Sequence, residues 1–509
     1  MRGPINIWRL IRTGATFIRS RAMHQVLEAM NAPPRLRAAC YAISAPFAWL
    51  GYKGDPNLPP VTRAITALGP AYIKFGQILS TRADVVGTEL AEQLRVLQDR
   101  LPPFSTAQAI AAIEAEFEQP VNSLFSEFSP PVAAASIAQV HEARIAATGQ
   151  RVAVKVLRPG IEKAFRKDLD AFHFAAHLIE RLLPSTRRLR PTDVVKHFEH
   201  TVMGELDLRM EAARASQFAS NTRNDAGFDV PEPVWNLSSR RVMVLDWAEG
   251  VPMGSPAAIR DAGHDLVELS ERMLQLFLSH ALRDGYFHGD MHQGNLKVAP
   301  NGDILAYDFG IMGQIDSYTR RVYAEILMGF IQRDYRRVAE VHFEAGYVPA
   351  DRDVDEFALA LRAVGEPIFG MDASHISMAR LLAYLFEVTD RFGMPTRTEL
   401  ILLQRSMVVA EGVARSLNPS LNMWQSAKPV VERYIRENLG PKAALQDMHR
   451  AAKVIAHFSP QFPDILKESL NNRMHAKDEK PPAKPMHPAI WAGIIAAVFL
   501  GGLGLGTVL

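Results

Sequence analysis

Two short segments carry residues whose types and order suit phosphoryl transfer. His288-Gly-Asp290-Met-His-Gln-Gly-Asn295 sets an aspartate five residues before an asparagine, and Asp308-Phe-Gly310 follows an apolar run, Ile304 to Tyr307, that reads as a strand. One loop can then present a carboxylate, Asp290, to a substrate hydroxyl or water and an amide oxygen, Asn295, to Mg2+. A second aspartate at a strand end, Asp308, ligates the same metal between nucleotide phosphates. Each segment alone is a common turn; together, with Asp290 and Asp308 18 residues apart, they describe a nucleotide site.

A lysine in a short buried strand, Val152-Ala-Val-Lys155-Val, supplies the charge that such a site needs against the α/β-phosphates of ATP. Strand lysines usually snorkel from an edge, so Lys155 also needs a carboxylate to hold it. Glu211 is the candidate, on a helical stretch read from Asp193 to Ser220. On one continuous helix Asp207 and Glu211 share a face, whereas Glu205 and Asp207 lie about 200° apart. That geometry gives Lys155 to Glu211, puts Asp207 near the metal and turns Glu205 toward some other cation.

The elements that position these residues follow from periodicity. Leu68 to Asp99 reads as helical, ending at Leu101-Pro-Pro-Phe, and a second helix covers Thr106 to Phe117. Strands are expected at Val140 to Ile145, Arg151 to Leu157 and Arg241 to Trp247, and a mainly helical half follows from Asp261. This is the order of a two-lobed α+β enzyme. The composition agrees: 509 residues, 48% hydrophobic and 22% charged, can bury a large core. Lys+Arg 57 against Asp+Glu 55 argues against nucleic acid as a partner. With Cys40 the only cysteine, an intrachain disulfide and a multi-thiolate zinc site are excluded.

The order of Lys74-Phe-Gly-Gln77, Ala133-Ala-Ala-Ser136, Val152-Ala-Val-Lys155, Glu205-x-Asp207, His288-x-Asp290-x-His292-x-Gly294-Asn295 and Asp308-Phe-Gly resembles the UbiB family of atypical kinases, over roughly residues 60 to 330. The resemblance implies a bilobal protein-kinase-like fold, ATP and Mg2+ as cofactors, and a role in ubiquinone biosynthesis. It implies that the helix bearing Lys74 and Gln77, three apart on one face, folds over the active site, that Lys74 meets Glu205, and that the site blocks protein substrates and favours ATPase behaviour. It also makes Ala133, Ala134, Ala135, Ser136 and Val140 the nucleotide loop in place of a glycine-rich one. Alanine avoids the positive φ angles open to glycine, so this loop should hold phosphates differently. Met291 and Gln293 stand where the family usually has prolines, which bears on the rigidity of that loop. No Ala-Pro-Glu follows Asp308, so activation-loop phosphorylation is not expected.

The domains read as a basic N-terminal segment (1–60), a helical extension (61–120), an N-lobe (121–250), a C-lobe (251–470), a polar linker (471–488) and a transmembrane helix (489–509). The last 21 residues are apolar or small apart from Thr507 and span roughly 30 Å as a helix, the thickness of a bilayer core. Arg473, Lys477, Lys480 and Lys484 precede it, which predicts a cytoplasmic catalytic domain; the family resemblance implies that the membrane is the bacterial inner membrane. Gly502 and Gly506 could pack against another helix, giving a dimer. The N-terminus, with Arg2, Arg9, Arg12, Arg19 and Arg21 among apolar residues, reads equally as a membrane-surface helix or as one packed on the core. The resemblance implies as partners membrane lipids, prenylphenol-type quinone precursors and ubiquinone-biosynthesis enzymes. Two other functions fit less of the sequence: a small-molecule kinase of the aminoglycoside or choline type, and a nucleotide-gated lipid scaffold without turnover.

Overall fold

The computed structural model describes residues 3–29, 34–80, 87–98, 103–135, 137–182, 191–370, 387–388, 391–394 and 398–438. They fall into two compact units, one built from the chain up to Ala213 together with Pro233–Trp247, the other from Arg214–Glu232 and from Ala248 onward. Among the described residues no helix is long and apolar enough to cross a membrane, and the candidate span 489–509 lies outside them, as does the linker before it.

The first unit opens with helices α1 (Gly3–Arg19), α2 (Met23–Ala29) and α3 (Pro34–Ser44), a 3-10 turn (Ala45–Leu50), then α4 (Pro60–Leu68), α5 (Pro70–Ser80) and α6 (Thr88–Arg95). The apolar side of α1 is used in packing: Leu10 is buried with Ala171 and Ala175, and Thr13 meets the Tyr72 hydroxyl at 2.8 Å. The stretch from Leu68 to Asp99 is not one helix. Gly69 at φ 115 separates α4 from α5, and Gly87 at φ 80 precedes α6, both in backbone regions that side chains oppose. Within α5, Tyr72 and Phe75 pack on Phe172 of α9 (Ile161–Leu182), and Phe75 also meets Phe198 of α10 (Pro191–Glu205). Gly76 has a packing role and no special φ. A Cβ there would come within 2.5 Å of Leu97 and 3.3 Å of Ile65, so its bare backbone lets α5 approach its neighbours.

Helix α7 (Thr106–Phe117) starts at Ser105 in a capping box with Gln108. A short helix α8 (Val121–Leu124) leads into the antiparallel sheet β1 (Phe125–Ala134), β2 (Ala138–Ile145), β3 (Arg151–Leu157) and β5 (Val242–Asp246), in that spatial order. Val152, Val154 and Val156 are fully buried on one face, against Ala109 and Ile113 of α7, which leaves Lys155 for the other. Strand β1 was not visible in the sequence. Pro130 and Pro131 interrupt its pattern, and it tolerates them because it is an edge strand with register shifts. The expected long helix is two, α10 and α11 (Leu208–Thr222), broken at Leu206-Asp207 where Leu208 N–H donates to the Arg240 carbonyl at 3.0 Å.

In the second unit β4 (Phe228–Asp229), β6 (Val251–Pro252), β8 (Leu296–Val298) and β9 (Ile304–Ala306) form one small sheet, and β7 (Tyr286–His288) pairs with β10 (Met312–Gln314) in another. Helices α12 (Pro256–Asp261), α13 (Leu266–Ser279), α14 (Ser317–Gln332), α15 (Tyr335–Glu344), α16 (Val354–Gly370), α17 (Thr398–Leu417) and α18 (Met423–Asn438) make up the rest. Tyr335, Val338, Phe357, Leu361 and Phe392 form a core where α15 meets α16. Helix α13 runs into a widened turn, His280–Asp284, just before β7. There the fully buried His280 meets Asp225 at 3.1 Å, and Arg283 grips the same carboxylate at 2.5 and 2.9 Å.

Two expectations follow. Gly76→Val should lower stability by about 1–3 kcal/mol through overpacking, seen as a lower denaturation midpoint at unchanged slope. Burial by itself would raise the Asp225 carboxyl, but the bonds from His280 and Arg283 outweigh it and hold it at about 2, below the ordinary 3.8. A depressed carboxylate stabilises the fold above pH 3.8 and loses that contribution as pH falls toward 2. The stake is about 2 kcal/mol. Asp225→Asn should therefore flatten stability against pH in that window, measured by denaturation from pH 6 to 2.

Candidate active site

In the first unit the sheet lines up the residues that the sequence singled out. Ala133, Val140 and Lys155 are direct partners across β1, β2 and β3, so they share one row. Ala133 and Ala134 belong to strand β1 and are not in a loop: Ala134 pairs with Gln139, and Ala135 N–H donates to the Ala138 carbonyl at 2.8 Å. The turn is thus closed by its own hydrogen bond. Ser136 lies outside the described residues. Buried Gln139 exchanges hydrogen bonds with the Phe104 backbone in both directions, at 2.9 and 3.2 Å, anchoring β2 to the entry of α7.

Two short ion pairs flank the break between α10 and α11. Lys155 Nζ meets Glu211 Oε1 at 2.5 Å, with 14% and 9% of the two side chains exposed. Lys74 Nζ meets Glu205 Oε2 at 2.5 Å, with 17% and 19% exposed. Gln77, on the same helix as Lys74, donates to the Leu97 carbonyl at 2.8 Å. The expectation that Asp207 and Glu211 share a helical face is corrected, because Asp207 sits in the break itself. Its carboxylate accepts the Arg209 backbone N–H at 3.1 Å and takes the Arg209 guanidinium in a fork at 2.9 and 2.7 Å. Those bonds, the guanidinium's first, hold Asp207 below the usual carboxylate range.

In the second unit β7 delivers His288, opposite Met312 of β10, to the start of the loop. His288 is fully buried and its Nδ1 accepts the Asp290 N–H at 3.1 Å. Burial lowers its pKa, so the ring is neutral and acts as an acceptor at this nitrogen. The Asp290 carbonyl accepts His292 N–H at 2.9 Å and Asn295 Nδ2 at 3.1 Å, and the Tyr307 hydroxyl closes on the Gly294 carbonyl at 2.7 Å. Met291, where proline was expected, is fully buried and pins the loop by packing. The β8–β9 hairpin brings Asn295 beside Asp308: Leu296 pairs with Ala306, and Tyr307 N–H donates to the Asn295 carbonyl at 3.0 Å.

Asp308 has φ 72, an unusual conformation for a residue with a side chain, and Gly310 N–H donates to its Oδ1 at 3.2 Å. Phe309 is fully buried between Phe218 and His288. Sequence reasoning missed two supports. Arg214 donates to the Gly310 carbonyl at 3.0 Å, and buried Ser406 of α17 donates to the Gly289 carbonyl at 3.0 Å. Arg214 follows Glu211 by three residues, a spacing that could have flagged it. Nothing in the sequence points from Ser406 to residue 289.

No group of three His, Cys, Asp or Glu side chains that could hold a metal occurs among the described residues. An Asn–Asp pair that shares the metal with phosphates needs none. The donor set suits Mg2+, since Asn295 turns its nitrogen to the Asp290 carbonyl and keeps Oδ1 as an acceptor.

Residues 96–342 match the ABC1 atypical kinase-like domain, and residues 361–422 match the UbiB helical domain. Probable protein kinase UbiB of Azotobacter vinelandii is 37% identical over 496 residues, covering 95% of this chain and 92% of the relative. This chain belongs to the UbiB family. Its counterpart in Pseudomonas entomophila is 38% identical over 86% of this chain and 82% of the relative, and that in Marinobacter nauticus 39% over 80% and 75%. An erythromycin complex from Mycobacterium tuberculosis shares the fold, with a TM-score of 0.50 at 23% identity over 74% of this chain and 93% of that one. The UbiB family is named for ubiquinone biosynthesis, and its kinase-like domain makes this chain an atypical kinase or ATPase in class.

The UbiB loop geometry gives one test that needs no nucleotide. Asn295→Asp replaces a donor with an acceptor facing the Asp290 carbonyl, so it should destabilise the second unit by about 1–3 kcal/mol at neutral pH. Differential scanning calorimetry would show the loss, whereas parental melting would disprove the amide orientation.

Proposed function

We propose that this chain uses Mg2+-ATP to promote ubiquinone biosynthesis at the bacterial inner membrane, regulating lipid-like prenylphenol intermediates or presenting them to the hydroxylating enzymes. The observation that carries this reading is the Lys74–Glu205 pair beside the Lys155–Glu211 pair, one binding a family-specific helix and the other the strand lysine. A small-molecule kinase has no use for the first.

Bound ATP supplies the phosphoryl group, and Mg2+ the charge that neutralises it. Lys155, oriented by Glu211, would offer its ammonium to the α/β-phosphates. The Asn295 Oδ1 atom and the Asp308 carboxylate would be the metal donors. The Asp290 carboxylate accepts the proton of the attacking hydroxyl or water, with its backbone fixed by His288. Asp207 is held in a fork by Arg209 within the first unit, so its part is secondary. The β1–β2 turn, with Ala135 N–H already bonded, would meet the nucleotide through alanine in place of glycine. Lys74 and Gln77 hold the extension that favours water or a small acceptor over a protein.

Lys155→Ala should weaken nucleotide binding by roughly tenfold to a hundredfold, the worth of about 1.5–3 kcal/mol for a charged contact. Asp308→Asn should abolish the part of the affinity that depends on Mg2+. Titration calorimetry with and without Mg2+ reads both, and parental Mg2+-ATP affinity in the two variants would refute the reading. Turnover with liposomes and quinone-precursor phenols, with products identified by mass spectrometry, names the acceptor.

A further inference from the structure

The first 53 residues hold eight Lys and Arg (2, 9, 12, 19, 21, 35, 37 and 53) and a single acid, Glu28, an excess of seven positive charges in a chain whose total is +2. The other residues therefore sum to −5. The same segment holds six of the fourteen large hydrophobic side chains that stand exposed among the described residues: Ile5, Trp8, Tyr41, Phe47, Trp49 and Tyr52. Trp49 is 74% exposed.

Four of these residues, Ile5, Trp8, Trp49 and Tyr52, lie on or over one side of α1. At 3.6 residues per turn, Ile5, Trp8, Arg12 and Arg19 of α1 fall within about 60° of one another. Ile5 and Trp8 stand open on the first turns. Farther along, the chain after the 3-10 turn lies over the same side of the helix: the Arg12 guanidinium is 3.9 Å from the Tyr52 ring centroid, Tyr52 N–H donates to Thr16 at 3.1 Å, and Arg19 donates to the carbonyls of Trp49 and Gly51 at 3.1 and 2.8 Å. The apolar line thus passes from α1 onto the overlying segment. Arg12 and Arg19 meet a ring and carbonyls, and among the described residues neither pairs with a carboxylate, so the local positive charge is not cancelled. The opposite side of α1 is buried in the unit, which holds this face in one orientation.

We infer that this face docks on the surface of an anionic phospholipid bilayer, with Trp8, Trp49 and Tyr52 at headgroup depth and the arginines against lipid phosphates. Exposed aromatics with an apolar body and a polar tip favour the water–hydrocarbon boundary, and a basic segment on an otherwise acidic protein selects negative headgroups. A second copy of the chain would bring the same positive charge against itself.

A single reporter tests it, because Cys40 is the chain's only cysteine. The full-length Cys40→Ala, Trp49→Cys protein, labelled with a nitrobenzoxadiazole dye, is reconstituted into vesicles of phosphatidylcholine alone or mixed with phosphatidylglycerol. Emission should rise about twofold and shift to the blue only in the anionic vesicles, be quenched by a spin-labelled lipid, and fall back in high salt, where the screening length shrinks from about 10 to about 3 Å. A label at Glu127→Cys, on β1, should not respond. A label at Ile5→Cys reads the same face should Trp49→Cys disturb the turn. Unchanged emission at both 5 and 49, an equal response at 127, or a change that tracks protein concentration without lipid would each overturn the proposal.

Discussion

The first unit depends on how two carboxylates are placed on either side of a helix break. Glu205 ends α10 and Glu211 lies in the first turn of α11, and each holds a lysine from a distant part of the chain. Pairs this poorly exposed are costly to break, since removing one partner strands the other charge away from water, a loss of about 3–5 kcal/mol in comparable settings. The corner therefore couples α5, through Lys74, to β3, through Lys155. Leu206 and Leu208, both fully buried, lock the corner into the core.

The second unit reaches its order by local means. Its loop from His288 to Asp308 is fixed by backbone amides, one neutral imidazole, one amide side chain and a buried methionine. Glycine matters here as a close approach: a Cβ on Gly313 would fall within 2.2 Å of the Phe287 ring, across the β7–β10 pair. The widened turn at His280–Asp284, tied to Asp225, sets where β7 begins and hence where His288 lies.

Much of this was legible in sequence because it rests on period and spacing. Helix Thr106–Phe117 and strand Arg151–Leu157 have the expected bounds, since their apolar residues recur at regular intervals and their ends carry a cap or a turn. The pairing of Lys155 with Glu211 followed from one charge needing another. What stayed hidden lacked a periodic signature. Strand β1 contains two prolines; the break at Asp207 is made by a hydrogen bond from Leu208 to Arg240, more than thirty residues away; and the fork of Arg209 on Asp207 arises only once the helix is broken. Ser406 is invisible for the same reason, being far along the chain from Gly289. The α1 helix illustrates a subtler limit: its amphipathic pattern is real, but the structure buries Leu10 and Phe17 while leaving Ile5 and Trp8 exposed.

The backbone of Asp308, at φ 72, separates shape from charge at that position. Aspartate and asparagine tolerate the left-handed region far better than longer or branched side chains do. Glutamate keeps the charge but has no such tolerance, and it adds a methylene beside the fully buried Phe309. The replacement that looks conservative by charge is therefore the one that fights the chain, and the replacement that discards the charge leaves the turn intact. Conformation thus narrows the choice at this residue to a few small side chains before any chemistry is asked of them.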